Sequence, residues 1–185
     1  VERTENIHNG KKYLSAKFAF EKGEKFLKSQ TEEISKELKS YGINLNFAPC
    51  IDTNTNPNNP IIGVRAFSSN PDEVIKAEKI VSKTYEENGI IPCVKHFPGH
   101  GDANADSHLT LPKIDLSLKD MEETHIKPFK SAIENGIDVI RIFDALNDIR
   151  NLESAIKFTK KYGGHCEPAL SYTISPVHNE DYFVK

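Results

Sequence analysis

Cysteine is scarce in this 185-residue chain, basic charge is not in excess, and no apolar run is long enough to cross a bilayer. Each absence excludes something. The three cysteines, Cys50, Cys93 and Cys166, are odd in number, and two fall inside predicted buried strands. That argues against a disulfide framework and for reduced core thiols of a cytoplasmic protein. A formal net charge of −3 with both signs interspersed leaves no basic stripe, so nucleic acid and anionic membrane are not expected as principal partners. The first residues, VERTENIHNGKK, have no apolar signal core to direct export and no initiating Met, so the chain reads as beginning inside something longer. What remains, with 37% apolar residues, suits one globular domain.

Helix and strand signals alternate along it. Leu27, Ile34, Leu38 and Tyr41 at helical spacing predict a helix over about 17–41, ended by Gly42, with a strand over 43–51. Asn70-Pro71-Asp72-Glu73 is a helix start, with a capping Asn and Pro in the first turn. Val74, Ala77, Val81 and Tyr85 continue one apolar face to Asn88-Gly89. A strand is predicted over 90–95 and a third helix from Ser117 that Pro128 kinks or divides. Then come a strand over 137–143, a helix near 150–162 and a strand near 169–173. The word ENGI at 87–90 returns at 134–137, and SYGI at 40–43 is a looser copy: helix, glycine cap, buried parallel strand.

About four such βα units give an α/β domain, half of a (β/α)8 barrel, which as a whole takes ~250 residues. A half barrel leaves two strand edges and a strip of apolar inward-facing side chains uncovered. A homo-oligomer is therefore expected, a dimer restoring the full strand count.

The most informative stretch is KHFPGHGDANADSHLTLP at 95–112, which holds three histidines, two aspartates and two glycines. It starts where the apolar run 90–94 stops, past the carboxyl end of a buried strand, the place where parallel α/β proteins do chemistry. Pro98, Gly99 and Gly101 block a helix and leave a loop that presents Asp106 and His108. A histidine titrates near neutrality, and an aspartate two residues away can orient or charge its ring. Such a pair can give a proton to a leaving oxygen and later take one from water. The same spacing also suits a polar loop that caps itself with Asx turns. His96, His100, Asp102, Asp106 and His108 have the ligand types for zinc, although no helix sets two histidines on one face. Arg65 and Asp52 are each either a ligand contact or a solvated charge. Asp144 and Asp148 in RIFDALND invite a metal assignment, yet strand-end polar residues also cap the next helix. His178 reads as a surface loop residue.

Three words, NFAPCID at 46–52, NPIIGVRAF at 59–67 and the 95–112 stretch, resemble the family 3 glycoside hydrolases, specifically the bacterial β-N-acetylglucosaminidases of cell-wall recycling, over residues 1–140. The resemblance implies a (β/α)8 barrel that hydrolyses terminal N-acetylglucosamine with retention, through a covalent glycosyl-enzyme intermediate. It implies His108 with Asp106 as the acid/base pair, and Asp52, Arg65, Lys95 and His96 as holders of the sugar hydroxyls and acetamide region. No metal and no cofactor is implied.

After about Gly136 the likeness changes. GIDVIRIFDALNDIRNLESAIKFTKKYGGH and SYTISPVH look like two βα units of the biotin-dependent carboxyltransferases, the group of the oxaloacetate decarboxylase α subunit and the pyruvate carboxylase transferase domain. The chain is thus expected to be a single partial-barrel domain with a seam, glycosidase-like over 1–136 and carboxyltransferase-like over 137–185: a chimera of barrel fragments. The family 3 aspartate nucleophile has no matching motif here. The carboxyltransferase metal-binding aspartate, carboxylated lysine and paired histidines belong to strands the chain does not contain. Retaining hydrolysis needs a carboxylate across the sugar ring. The expected function is therefore a fragment related to β-N-acetylhexosaminidase, weak or inactive in hydrolysis. The alternatives are a structural barrel fragment with no ligand, and an active cytoplasmic β-N-acetylglucosaminidase that draws its carboxylate from elsewhere.

Overall fold

The computed structural model describes residues 4–7, 9–104, 115–137, 139–144 and 149–170. The predicted first helix is two helices, α1 (Ala16–Glu21) and α2 (Glu24–Ser40). Gly23 divides them by adopting φ +98°, a conformation open to glycine and costly for other residues. On α2, Leu27, Thr31, Ser35 and Leu38 form the buried face. The two hydroxyls do not go unsatisfied there, because Thr31 Oγ1 donates to the Leu27 carbonyl (2.8 Å) and Ser35 Oγ to that of Thr31 (2.7 Å). Leu27 and Leu38 share a core cluster with Ala77, Val81 and Tyr85 of α3 (Pro71–Glu87). α3 starts as expected, with Asn70 Oδ1 accepting the Asp72 amide at 2.9 Å and Pro71 in the first turn.

Strand β1 (Leu45–Asn46) is shorter than the predicted 43–51. Pro49 has no N–H to give the ladder, and pairing with the neighbouring β2 (Ile91–Val94) is taken up again at an isolated Cys50–Lys95 bridge. The segment from Ser117 forms α4 (Leu118–Met121), a π-helical turn (Glu122–Ile126) and α5 (Lys127–Glu134). Pro128 accounts for the interruption. It cannot donate to the carbonyl of Thr124 four residues back, and that carbonyl instead accepts from Thr53 Oγ1 at 3.0 Å. The helix defect thus ties α4–α5 to the segment just past β1. After β3 (Val139–Asp144) and α6 (Ile149–Lys161), β4 (His165–Leu170) begins earlier than the predicted 169, because Gly163 at φ +87° closes the helix at once.

The four strands are parallel in the order β1-β2-β3-β4, the α/β partial barrel expected. One sheet face, with Val94, Ile140 and Ile142, packs against Phe97, Phe129, Ala132, Ile133, Leu152 and Ala155. The other face departs from the expected apolar strip. There the register sets Cys93 beside Val139 and Arg141 beside Glu167. Arg141 pairs with Glu167 at 3.1 Å and lies 4.3 Å over the Phe47 ring, while Cys93 Sγ is 3.9 Å from Glu167. Burial and the Glu167 carboxylate push the Cys93 thiol up to about 12. No helix among the described residues is long and apolar enough to cross a membrane.

Candidate functional site

Asp52 lies two residues past the Cys50–Lys95 bridge, completely buried, and is the hub of the site. Its Oδ2 accepts from the His96 amide (3.1 Å), the His96 ring Nδ1 (2.7 Å) and the Cys50 thiol (3.1 Å), and its Oδ1 accepts from the His100 amide (2.6 Å). Burial alone would raise its pKa. The hydrogen bonds from His96, the Cys50 thiol and the His100 amide outweigh that and hold the carboxyl below the usual carboxylate range. Asp52 is therefore a fixed negative charge at neutral pH.

The tautomer of His96 follows from its neighbours. Arg65 can only donate, and its guanidinium sits 3.3 Å from His96 Nε2, so Nε2 accepts and Nδ1 carries the hydrogen given to Asp52. Arg65 closes a short 3-10 turn, Gly63–Arg65, and its Nη1 also donates to the Ile61 carbonyl at 3.2 Å. Asn59 fastens that turn to the histidine loop. Its Oδ1 accepts the amides of Ile61 (2.9 Å) and Ile62 (2.8 Å), and its Nδ2 donates to the His100 carbonyl (2.7 Å). Lys95 joins the group through its backbone: its carbonyl accepts the Ile51 amide at 2.9 Å and its amide donates to the Pro49 carbonyl at 3.4 Å.

Beyond His96 the chain is pinned rather than loose. Gly99 has φ +126°, and a Cβ there would sit 2.6 Å from Cβ of His125. A Cβ on Gly101 would lie 1.8 Å from the Thr53 carbonyl oxygen. Both glycines are needed for close approach. Thr55 Oγ1 then donates to Asp102 (2.8 Å), and Asn56 bonds the carbonyls of Gly101 and Ala103, each at 3.2 Å. His125, on the π-helical turn, is fully buried with neither ring nitrogen hydrogen-bonded among the described residues. Its burial pushes its pKa down, against the pull of Asp102 and Asp52. Burial likewise lowers the pKa of His100, with Asp52 opposing.

Of the residues singled out in the sequence, the structure joins Asp52, His96 and Arg65 by side-chain contacts, and Lys95 by its backbone. Asp106, His108, Asp148 and His178 lie outside the described residues. Sequence reasoning passed over Cys50 as a core thiol and did not single out Asn59. The signal for Asn59 was its place in NPIIGVRAF, six residues before Arg65.

A family model described as the glycosyl hydrolase family 3 N-terminal domain matches residues 13–152. The chain belongs to that family. The family 3 match continues through Gly136 and all of β3 into α6, beyond the seam expected from the sequence. Beta-hexosaminidase A of Pseudoalteromonas piscicida is 48% identical over 101 residues, 55% of this chain and 17% of that protein. A beta-hexosaminidase of Neisseria meningitidis serogroup C is 37% identical over 107 residues, 58% of this chain and 29% of that one. Among solved structures, a family 3 beta-N-acetylglucosaminidase from Paenibacillus sp. str. FPU-7 aligns with a TM-score of 0.69 at 29% identity, covering 79% of this chain and 30% of that chain. NagZ from Neisseria gonorrhoeae aligns at 0.59 with 33% identity, covering 64% and 34%. The family 3 segment thus spans about a third or less of each of these relatives.

Proposed function

We propose that this chain carries the sugar-holding part of a β-N-acetylhexosaminidase site and that hydrolysis by the chain alone is weak or absent. The observation that carries this reading is the Asp52–His96–Arg65 relay at the strand ends. A neutral sugar is recognised by hydroxyl groups that both donate and accept, so its site needs fixed donors and acceptors side by side. Asp52, fully buried with four donors already on its oxygens, fixes the His96 ring, while Arg65 is an anchored donor and the partly exposed His96 beside it supplies the acceptor. Lys95 adds an ammonium, and Arg65, Lys95 and His96 would hold the hydroxyls and acetamide of N-acetylglucosamine, with Asp52 acting through His96. His108 with Asp106 is the proposed acid/base pair. No residue is assigned as nucleophile, and without one the retaining mechanism stalls.

The test is a titration with N-acetylglucosamine followed by the carbon–proton NMR signals of the His96 ring. We expect a saturable shift that Arg65→Ala abolishes while the rest of the spectrum is kept. No response up to the solubility limit of the sugar would leave a barrel fragment without ligand, the second reading. Release of nitrophenol from a nitrophenyl β-N-acetylglucosaminide should not exceed that of His108→Ala. Clear His108-dependent turnover would instead establish an active enzyme.

Three further parts of the reading stand beside it. The carboxyltransferase-like words favour a chimeric origin for 137–185, within one partial-barrel domain. The outer edges of β1 and β4 have no strand partner among the described residues, which favours a dimer, although the charged Arg141–Glu167 layer weakens the apolar drive for it. Light scattering at micromolar concentration decides: a stable monomer removes the dimer. Cysteines held outside any disulfide suit a reducing compartment such as the cytoplasm.

A further inference from the structure

Cys50 is the site's unexplained neighbour. Its sulfur, a carboxylate oxygen of Asp52 and a ring nitrogen of His96 all lie within 4.8 Å of one another. Thiolate, carboxylate and imidazole together are a donor set for zinc, and a magnesium or calcium site would take oxygen ligands only. We propose that Cys50, Asp52 and His96 form a binding site for a zinc-type divalent cation, and that the ion and the sugar exclude each other.

The geometry needs only a small expansion. Asp52 Oδ2 is 3.1 Å from Cys50 Sγ and 2.7 Å from His96 Nδ1. With metal bonds of about 2.0 Å to nitrogen and oxygen and about 2.3 Å to sulfur, tetrahedral ligand atoms stand roughly 3.3–3.5 Å apart. The Oδ2–Sγ and Oδ2–Nδ1 gaps need to open by only about 0.4–0.6 Å. Water completes the coordination from the side on which His96 is 19% exposed. A groove of about 400 Å³ lined by Tyr13, Pro49, Cys50, Val64 and Arg65 supplies the route in.

The protons balance as follows. The Cys50 thiol gives up its proton to solvent as the metal–sulfur bond forms. The His96 hydrogen moves from Nδ1 to Nε2, with no net loss, as Nδ1 takes the ion. Nε2–H then faces the Arg65 guanidinium, donor against donor, so Arg65 must let go. His96 and Arg65 are groups assigned above to the sugar, with Asp52 holding His96 in place, and a bound ion takes His96 and displaces Arg65. That exclusion rests on the sugar reading, whereas metal uptake does not.

The test titrates the 185-residue chain with zinc against a chromogenic indicator, then repeats it with cobalt(II). We expect one equivalent bound, about one proton released per ion, and a sulfur-to-cobalt charge-transfer band in the near ultraviolet. Cys50→Ser should abolish the band, and both Cys50→Ser and His96→Gln should weaken zinc by about tenfold or more. Cys93→Ser and Cys166→Ser should change neither. Zinc should also suppress the N-acetylglucosamine titration. Undiminished zinc binding by both Cys50→Ser and His96→Gln, or cobalt uptake without the thiolate band, would mean adventitious binding elsewhere and overturn the site. If the sugar never binds but the cobalt signature depends on Cys50, the metal site stands and the sugar reading falls.

Discussion

Replacing Asp52 by Asn tests whether its charge is what the site is built around. The buried carboxylate accepts four hydrogen bonds, from the His96 amide and ring, the Cys50 thiol and the His100 amide. Asn keeps the shape and one acceptor oxygen, but its amide nitrogen turns a donor toward donors. Two effects compete. Relief of the desolvation of a charge favours Asn, and loss of charge-assisted hydrogen bonds, each ~1.5–3 kcal/mol, disfavours it. The direction of the Asp52 pKa decides between them: it is lowered despite complete burial, so the fold favours the ionised over the uncharged form. Losing the charge on several of these hydrogen bonds and setting a donor against a donor costs on the order of 3 kcal/mol. Against a domain stability of ~5–15 kcal/mol, that is a large fraction. Because the folded pKa is depressed, the contribution of Asp52 is present above its ordinary pKa and is lost as pH falls through the folded value. Urea unfolding of the two proteins should show the full gap near neutral pH and a narrowing gap below about pH 4. A gap under about 0.5 kcal/mol at neutral pH, the size of an ordinary surface change, would refute the reasoning.

The other expectations follow from single contacts. Glu78 is 1% exposed and burial raises its pKa to about 7, so its stabilising protonated form is complete below its ordinary pKa and is lost as pH rises through about 7. Glu78→Gln should match the parent near pH 4.5 and exceed it at pH 8 by on the order of 2–3 kcal/mol in urea unfolding; equal stability at both pH values would count against a buried neutral carboxyl. Gly99→Ala puts a Cβ at φ +126° and 2.6 Å from His125 Cβ, and should cost about 2–4 kcal/mol in thermal unfolding; an unchanged midpoint contradicts the close contact. With its pKa near 12, Cys93 should be about one part in ten thousand thiolate at pH 8 and react with iodoacetamide after the half-buried Cys166, an order that peptide mapping reads directly.

What the sequence showed well was everything with a period or a cap. Asn70-Pro71 opened α3 where expected, Gly89 and Gly136 closed helices at φ +70° and +95°, and the recurring unit became four parallel strands. What it hid were consequences of partners far along the chain. Gly23 falls inside the one long helix expected over 17–41 because the helical spacing of Leu27 to Tyr41 sets no start, and its positive φ separates α1 from α2. Pro128 promised a break, but not that the carbonyl it frees would find Thr53, 71 residues away. Arg141 and Glu167 were unremarkable strand residues until register set them side by side.

The candidate site shows the same division more sharply. Lys95, His96 and Asp52 could be singled out because each sits where a strand stops, and polar residues there are out of keeping with the apolar runs before them. Cys50 could not, since a thiol two residues before a strand-end aspartate looks like any core cysteine. Its meaning comes from the packing of Cys50 and Asp52 against the loop after β2, which sets sulfur and carboxylate 3.1 Å apart and both beside the His96 ring. Asn59 is the complementary case. Its side chain makes two local hydrogen bonds, to the amides of Ile61 and Ile62, and one to the carbonyl of His100 41 residues away, and that remote bond couples the Arg65 turn to the histidine loop. A change at Asn59 would therefore loosen the spacing between Arg65 and His96 without removing either. Residues that hold a ligand announce themselves by chemical type, and those that set the distances between them become visible only when the chain is folded.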